Sequence, residues 1–474
     1  MDDLAFSGRL FYIDKMVKYL YIIALLFINL KGIAQFGPQR IITTEAHLPV
    51  RAVAGDINGD GHIDVVLASR SLATPYNLAW LENTNGLGDF GSINLIGTMS
   101  ETYRINLADL DGDGDLDAMG ATVFLDIISW FENLDGLGNF GPRNIISNTA
   151  DGAHDVIAAD LDNDGDMDVI SASDNAGLAW HENLDGQGNF SMPKAINNTI
   201  TSSRSVFAAD MDDDGDIDIV GNGGQPAQIF WMENMDGQGS FGTMHVIREM
   251  DAYANTIFAA DVDLDGDMDV FAASPYINEV AWYENLDGLG NFGSKNIITN
   301  TLSKPFAVYV ADLDNDGDND VLATSVDPFG GEVVWFENLD GLGSFSTKNS
   351  IDSNLVFPRD IYAADIDNDG DMDVLIADQN SDTIAWYENM TIIGIEENQL
   401  NNLNIYPNPT KGLIFIESKT ETIIGITVFD VLGKKVLQLN GYIQQLDVST
   451  LQSGMYFLRV KTDSGELVKK IIKE

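Results

Sequence analysis

The chain has 474 residues, with 74 acidic against 25 basic side chains and a formal charge of −49. That balance argues against a nucleic-acid partner, because phosphate backbones are bound by cationic faces. Hydrophobic residues at 45% and aromatic residues at 9% still supply enough apolar material for a core, so the excess acid calls for neutralisation rather than disorder. There is no cysteine, so neither disulfides nor thiol chemistry can contribute.

The first predicted element is an export signal. Lys18 precedes an apolar run from Tyr19 to Leu30, and the small residues Gly32 and Ala34 follow at a cleavage position. The run is shorter than the roughly 20 residues of a comfortable membrane span. Residues 1–34, or 16–34 if Met16 is the true start, are therefore expected to be removed, leaving no transmembrane segment in the mature form.

From Asp56 onward one unit recurs seven times. Its acidic bursts begin at Asp56, Asp109, Asp160, Asp210, Asp261, Asp312 and Asp365, at intervals of 50 to 53 residues. All seven tryptophans, from Trp80 to Trp386, keep the same beat inside a W-x-E-N tetrad, usually followed by a turn like DGLGNFG. In the third copy DVIAAD leads into the acidic loop, MDVISAS leaves it, and GLAWHEN and NFSMPKAI follow, each bounded by turn residues. Four short strands every 40–50 residues or so are the pattern of a propeller blade. The expected fold is all-β, a seven-bladed β-propeller over residues 35–390. The seventh copy stops at Met390 without its last strand, while an orphan strand around Phe36–Ile42 precedes the first copy. That strand is predicted to pair with the one holding Trp386 and so to close the ring.

Each acidic loop reads D-x-[DN]-x-D-G-x-x-D. Oxygens at positions one, three, five and nine can converge on one point, and the glycine permits the reversal. The candidate metal ligands are Asp56, Asn58, Asp60 and Asp64; Asp109, Asp111, Asp113 and Asp117; Asp160, Asp162, Asp164 and Asp168; Asp210, Asp212, Asp214 and Asp218; Asp261, Asp263, Asp265 and Asp269; Asp312, Asp314, Asp316 and Asp320; Asp365, Asp367, Asp369 and Asp373. An all-oxygen cage suits Ca²⁺, with about seven sites expected; Mg²⁺ demands a tighter octahedron and keeps its waters. An EF-hand is excluded, because its position-twelve Glu is replaced by Leu67, Gly120, Ser171, Gly221, Ala272, Ala323 and Ile376. The loops hold 34 of the 74 acids, whose mutual repulsion an ion would convert into cross-links.

At this point the pattern resembles the FG-GAP/VCBS repeat family, the propeller type of integrin alpha subunit heads. Its Phe-Gly pairs recur here as Phe36-Gly37, Phe140-Gly141, Phe241-Gly242 and Phe292-Gly293. Serine replaces the glycine after Phe190 and Phe345, and no Gly-Ala-Pro element follows. The resemblance implies calcium held in a β-loop-β cage.

Alternating connectivity puts the acidic loop and the DGLGNF turn on one rim, and the more variable connections on the other. Difference between blades suits recognition. Residues five or six places before each cage should surround the channel mouth on that variable rim: Arg51, Tyr103, Arg104, His154, Arg204, Phe306 and Arg359 are the candidate ligand contacts, alongside Asp155, Asn255 and Asp360. Arginine pairs with carboxylate or sulfate and aromatic rings stack on sugars, which points to an acidic glycan or an extracellular protein. The bland alternative is that these arginines merely pair with nearby aspartates. No nucleophile elbow, zinc signature or phosphate loop is present, so no catalytic residue is assigned. A polysaccharide lyase using His154 or Arg104 is the enzymatic alternative.

Beyond a linker at 391–401 the composition changes. NIYPNPTKG from Asn404, LGKKV from Leu432, LDVSTLQSGMYFLRV and the basic end LVKKIIKE look like the C-terminal sorting domain of proteins exported by the bacterial type IX system. That resemblance implies a small β-sandwich over 402–474 read by the type IX machinery, and a secreted or cell-surface location. The expected role is a calcium-stabilised binding or adhesion module.

Overall fold

The computed structural model describes residues 36–70, 77–99, 101–197, 199–250, 253–327 and 330–390, and in the C-terminal part 403–418, 423–429, 435–440, 445–452, 454–462 and 466–473. The signal segment and the linker lie outside these residues. Two compact units divide the chain, Met1–Thr391 and Ile392–Glu474.

Seven four-stranded antiparallel sheets make up the first unit among the described residues. In the third blade the strands are Ala153–Ala159, Asp168–Ser173, Gly177–His181 and Lys194–Asn197, hydrogen-bonded in that order. The second strand of every blade is buried along its whole length, from Asp64–Ser69 in the first to Asp373–Asp378 in the seventh. Burial on both faces explains why these strands read as continuous Val/Ile/Leu/Ala runs rather than as alternation.

The core lies between blades. Each neighbouring pair shares one apolar cluster, and the cluster joining Leu67 and Leu81 of the first blade to Leu375 and Trp386 of the seventh closes the circle. Closure is also made by strand pairing, as the orphan-strand reading expects. Arg40–Thr43 pairs antiparallel with Thr383–Tyr387, setting Arg40 opposite Trp386, and completes the seventh blade. Phe36 then meets Trp335 edge-on, with ring centroids 6.3 Å apart. Joining first and last strands in one sheet removes the open edge of the ring.

Six of the seven tryptophans, all but Trp335, are also gripped by a neighbouring blade. The second glycine of the DGLG turn lies flat on the indole of the preceding blade; a Cβ on Gly138 would stand 2.2 Å from Cζ2 of Trp80, and φ there is +79°. Close approach and a left-handed backbone both demand glycine.

In the second unit, a three-stranded sheet (Leu403–Tyr406, Leu413–Ser418, Gln445–Asp447) and a four-stranded sheet (Lys435–Asn440, Ile423–Phe429, Gly454–Thr462, Glu466–Lys473) contribute to one core. Ile414, Ile416 and Leu446 from the first meet Ile426, Val428, Leu458 and Val460 from the second.

Candidate metal centres and rim cavity

Every acidic loop connects the first and second strands of its blade. In the third, the backbone N–H groups of Asp164 and Gly165 donate to the two oxygens of Asp160, at 3.2 and 3.0 Å. Positions four and six are both left-handed, with Asn163 at φ +57° and Gly165 at +96°, so the loop coils tightly around its own first carboxylate. The ninth-position Asp168 is buried and bridges the blade. Its Oδ2 accepts from Leu161 N–H at 3.1 Å and its Oδ1 from Asn183 N–H at 2.7 Å.

One oxygen from each of Asp160, Asp162 and Asp168 lies within 4.8 Å of the others, as do equivalents in Asp109, Asp111 and Asp117 and in Asp210, Asp212 and Asp218. In the fifth and sixth blades the convergent sets are Asp261, Asp263, Asp265 and Asp312, Asp314, Asp316. Oxygens flanking one Ca²⁺ at about 2.4 Å can be separated by no more than about 4.8 Å, so the spacing fits. A second observation points the same way. The position-three oxygen Oδ1 is buried without a hydrogen-bond partner in Asp111, Asp162, Asp212, Asp263, Asp314 and Asp367. Buried carboxylate oxygens lacking a donor are costly, and a cation satisfies them. The strain is visible in the proton affinities: burial above all, reinforced by the other aspartates, pushes Asp117, Asp168, Asp218 and Asp269 up to about 7 and Asp320 and Asp373 to about 8. The first cage is the poorest in charge, with Asn58 at position three and His62 at position seven, 3.4 Å from Asp60.

The tetrad asparagine carries a role the sequence reading did not assign. Nδ2 of Asn234 donates across the blade boundary to the carbonyl of Leu161, in the preceding cage, at 2.8 Å, while its Oδ1 accepts from Gly239 N–H at 3.0 Å. The same cross-blade bond runs from Asn83 to Ile366, Asn133 to Ile57, Asn183 to Leu110, Asn285 to Met211, Asn338 to Val262 and Asn389 to Leu313. The unvarying Asn of W-x-E-N was the available signal.

On the opposite rim, a cavity of about 750 Å³ opens at the channel mouth. Tyr103, Arg104, His154, Arg204, Phe306 and Arg359 line it, together with Lys304 and Tyr276, which no fixed offset from the cages predicted. Arg51 is not in the lining. It is half-buried beside Asp360, 3.5 Å away, and the carboxylates of Asp360 and Asp155 outweigh the effect of burial and hold its guanidinium above the usual value. The split has a local cause. In the first, second, third and seventh blades the pairing of strands one and two skips one residue, which is Val50, Tyr103, His154 or Arg359. Such a bulge re-aims side chains, and these residues sit at the sixth place before the cage.

Charges in the mouth are partly answered. Arg104 lies 3.1 Å from Asp360 and 3.8 Å from Asp155, and Arg204 lies 4.0 Å from Asp174. His154 pairs with Asp174 at 2.9 Å; burial, aided by Arg204 and Arg104, nevertheless lowers its proton affinity. Arg359 makes a single hydrogen bond, to Oε1 of Gln379 at 3.1 Å.

An FG-GAP-like repeat model matches residues 56–119, 160–221, 210–272, 261–323 and 315–376, and a secretion system C-terminal sorting domain model matches 404–474. No curated protein matches the chain. Among solved structures, BBS1N in complex with ARL6DN is similar in both a lead-soaked and a mercury-soaked crystal, at 10% and 11% identity and TM-scores of 0.52 and 0.53, covering 76% of this chain and 99% of the other in each case. A nidogen/laminin complex chain matches at 10% identity and a TM-score of 0.38, over 64% of this chain and 92% of that one. At such identities the first two likenesses show the fold alone, and the third adds no argument. Among the described residues no helix is long and apolar enough to cross a membrane. With most of the ring matched by the repeat and the tail by the sorting module, the chain belongs to the FG-GAP-like repeat family of β-propellers and is exported by type IX secretion to the cell surface or beyond.

Proposed function

We propose that the protein is a calcium-braced binding module at the cell surface, which holds an extracellular ligand in the variable-rim cavity. Calcium would be held by the side-chain oxygens at positions one, three, five and nine of each cage, where it would supply charge neutralisation and a cross-link between the first two strands. The protein's own part is to present those oxygens pre-coiled around the loop's backbone N–H groups. Support for the metal is the set of six buried, unpartnered position-three oxygens.

The observation that carries the binding role is the cavity itself. Its volume of about 750 Å³ falls in the range of small-molecule sites, roughly 300–1,000 Å³. It also gathers arginines and aromatic rings on a chain whose net charge is −49. A glycan array probed with the full chain, in calcium and in chelator, tests the reading. Binding that is lost in the Phe306→Ala variant supports it; an array silent in calcium sinks it.

A lyase reading keeps one specific observation: His154 lines the cavity with its proton affinity lowered, held by Asp174, as a base would be. Release of unsaturated products from uronic-acid polysaccharides would establish that reading over simple binding.

A further inference from the structure

Seven of the described lysines and arginines of the propeller pair with a carboxylate within 4 Å. Outside the cavity, Arg40, Lys194, Lys295 and Lys348 each pair with a glutamate at 2.6–3.1 Å. Arg104 and Arg204 in the lining, and Arg51 outside it, share Asp360, Asp155 and Asp174. Of the cations without such a partner, Arg70, Arg143 and Arg248 lie outside the lining, whereas Arg359 lines the cavity. Among the described residues it has no carboxylate within 4 Å; its one acceptor is the neutral Gln379.

Scarcity of acids does not explain this, in a chain with 74 of them. The guanidinium is instead held by rings, its carbon 5.0 Å from the Tyr103 centroid and 5.3 Å from that of Phe306. Arg70 stands over the same Tyr103 at 4.5 Å. Burial, with Arg70 and Arg104 acting in the same sense, lowers Arg359 to about 10. Lys304 adds a second lining cation with no carboxylate partner among the described residues. A half-buried cation fixed by aromatic faces, with Asp360 attracting it only from beyond ion-pair range, is a preorganised anion receptor, because the cost of ordering it is already met.

Resting on the binding reading above, we propose that Arg359 and Lys304 receive the carboxylate or sulfate of an acidic sugar residue. The remaining lining suits the ring of such a sugar. Phe357 and the largely exposed Tyr276 offer apolar faces beside the cations, matching a pyranose with one charged substituent. Arg104, already ion-paired with two aspartates, is not the receptor.

The experiment is calorimetric titration of the full chain in calcium with four probes: trigalacturonic acid, a sulfated galactose trisaccharide, neutral maltotriose and triglutamate. Binding of one acidic trisaccharide, weakening as salt rises, is expected. Arg359→Gln should lose tenfold or more in affinity, Lys304→Gln several-fold, and Arg359→Lys less than Arg359→Gln. Arg143→Gln, which removes the same charge from an exposed site outside the cavity, should change nothing. Melting curves establish that each variant folds. Carboxylated and sulfated arms tell the two anion sources apart. Equal binding of maltotriose, lost in Phe306→Ala, overturns the anion receptor while leaving the binding module standing. Preference for triglutamate overturns the sugar in favour of an acidic peptide. Silence from all four probes, with a silent array, overturns both readings.

Discussion

Replacing Asn234 by alanine tests whether the tetrad asparagine holds the ring together. The side chain is fully buried and makes three bonds: Nδ2 to the Leu161 carbonyl at 2.8 Å and to Ile217 O at 3.2 Å, and Oδ1 from Gly239 N–H at 3.0 Å. Alanine keeps the backbone bond to Asp218 but strands two carbonyls and one N–H. A buried group left unsatisfied costs about 1–3 kcal/mol, and two of the three are only partly buried, so the loss should be about 3–5 kcal/mol. Urea unfolding in saturating calcium reads it. Two controls calibrate the number. Asn189→Ala deletes an exposed bond to Asp185 and should cost under about 1 kcal/mol. Asn83→Ala breaks the same staple across the ring closure, where its bonds to Ile366, Ile63 and Gly88 are 2.8, 3.2 and 3.1 Å, and should match Asn234→Ala within about 0.5 kcal/mol. If Asn234→Ala costs no more than Asn189→Ala, the staple is not a brace and the argument fails.

Three further outcomes follow from the cages. Chelation should lower the melting temperature steeply, since sites held at about ten times their dissociation constant contribute roughly 1.4 kcal/mol each and on the order of 10 kcal/mol together; an unchanged melt removes calcium as the brace. Because burial raises the folded-state pKa of Asp168 to about 7 and of Asp373 to about 8, the folded chain in chelator takes up protons that the unfolded chain does not between about pH 8 and 5. Its stability should therefore rise on acidification, and in calcium it should fall, because protons compete for the same oxygens; parallel slopes in the two buffers would contradict the assignment. Leu264 stands at φ +59° in the fifth cage, where Asn163 of the third donates to Asp216 of the next blade at 2.8 Å, and Oδ1 of Asp318 beside Leu264 has no partner. Leu264→Asn should stabilise by about 1–2 kcal/mol in thermal unfolding, and a loss of stability would refute the strain argument.

Periodicity decided what the sequence could reveal. The cages, the tryptophans and the strand completing the seventh blade recur at fixed offsets, and each offset corresponds to a contact repeated in every blade. The asparagine staple was equally periodic but opaque, because its partner lies 73 to 76 residues back, or 283 ahead at the closure. No local pattern names a partner two loops away. The cavity was half legible. Counting back from each cage located Tyr103, His154 and Arg359, yet it treated the fifth and sixth places alike. One-residue bulges set them apart in part: Arg359 at a bulge reaches the mouth and Arg51 beside one stays half-buried on Asp360, although the fifth-place Arg104 also reaches the lining. Lys304 and Tyr276 arrive on connections that differ from blade to blade, so no repeat could point to them.

The distribution of charge links these two readings. A fold that concentrates 34 carboxylates on one rim needs cations there, and the repeats place no lysine or arginine among the cage positions. Arg40 does act on Asp367 of the seventh cage, but Arg104, Arg204 and Arg359 gather at the other rim, where Asp155, Asp174 and Asp360 pair with the first two and leave Arg359 without a carboxylate in pairing range. Were these three present only to relieve repulsion, they would sit among the cages, since Coulomb relief falls off within about 10 Å in saline water. Their placement at the far mouth of the channel therefore requires a second reason. An external anion of the kind proposed would supply one: the rim proposed to hold metal and the rim proposed to hold ligand would then use opposite charges, and free calcium and an acidic ligand would be drawn to opposite ends of the same ring.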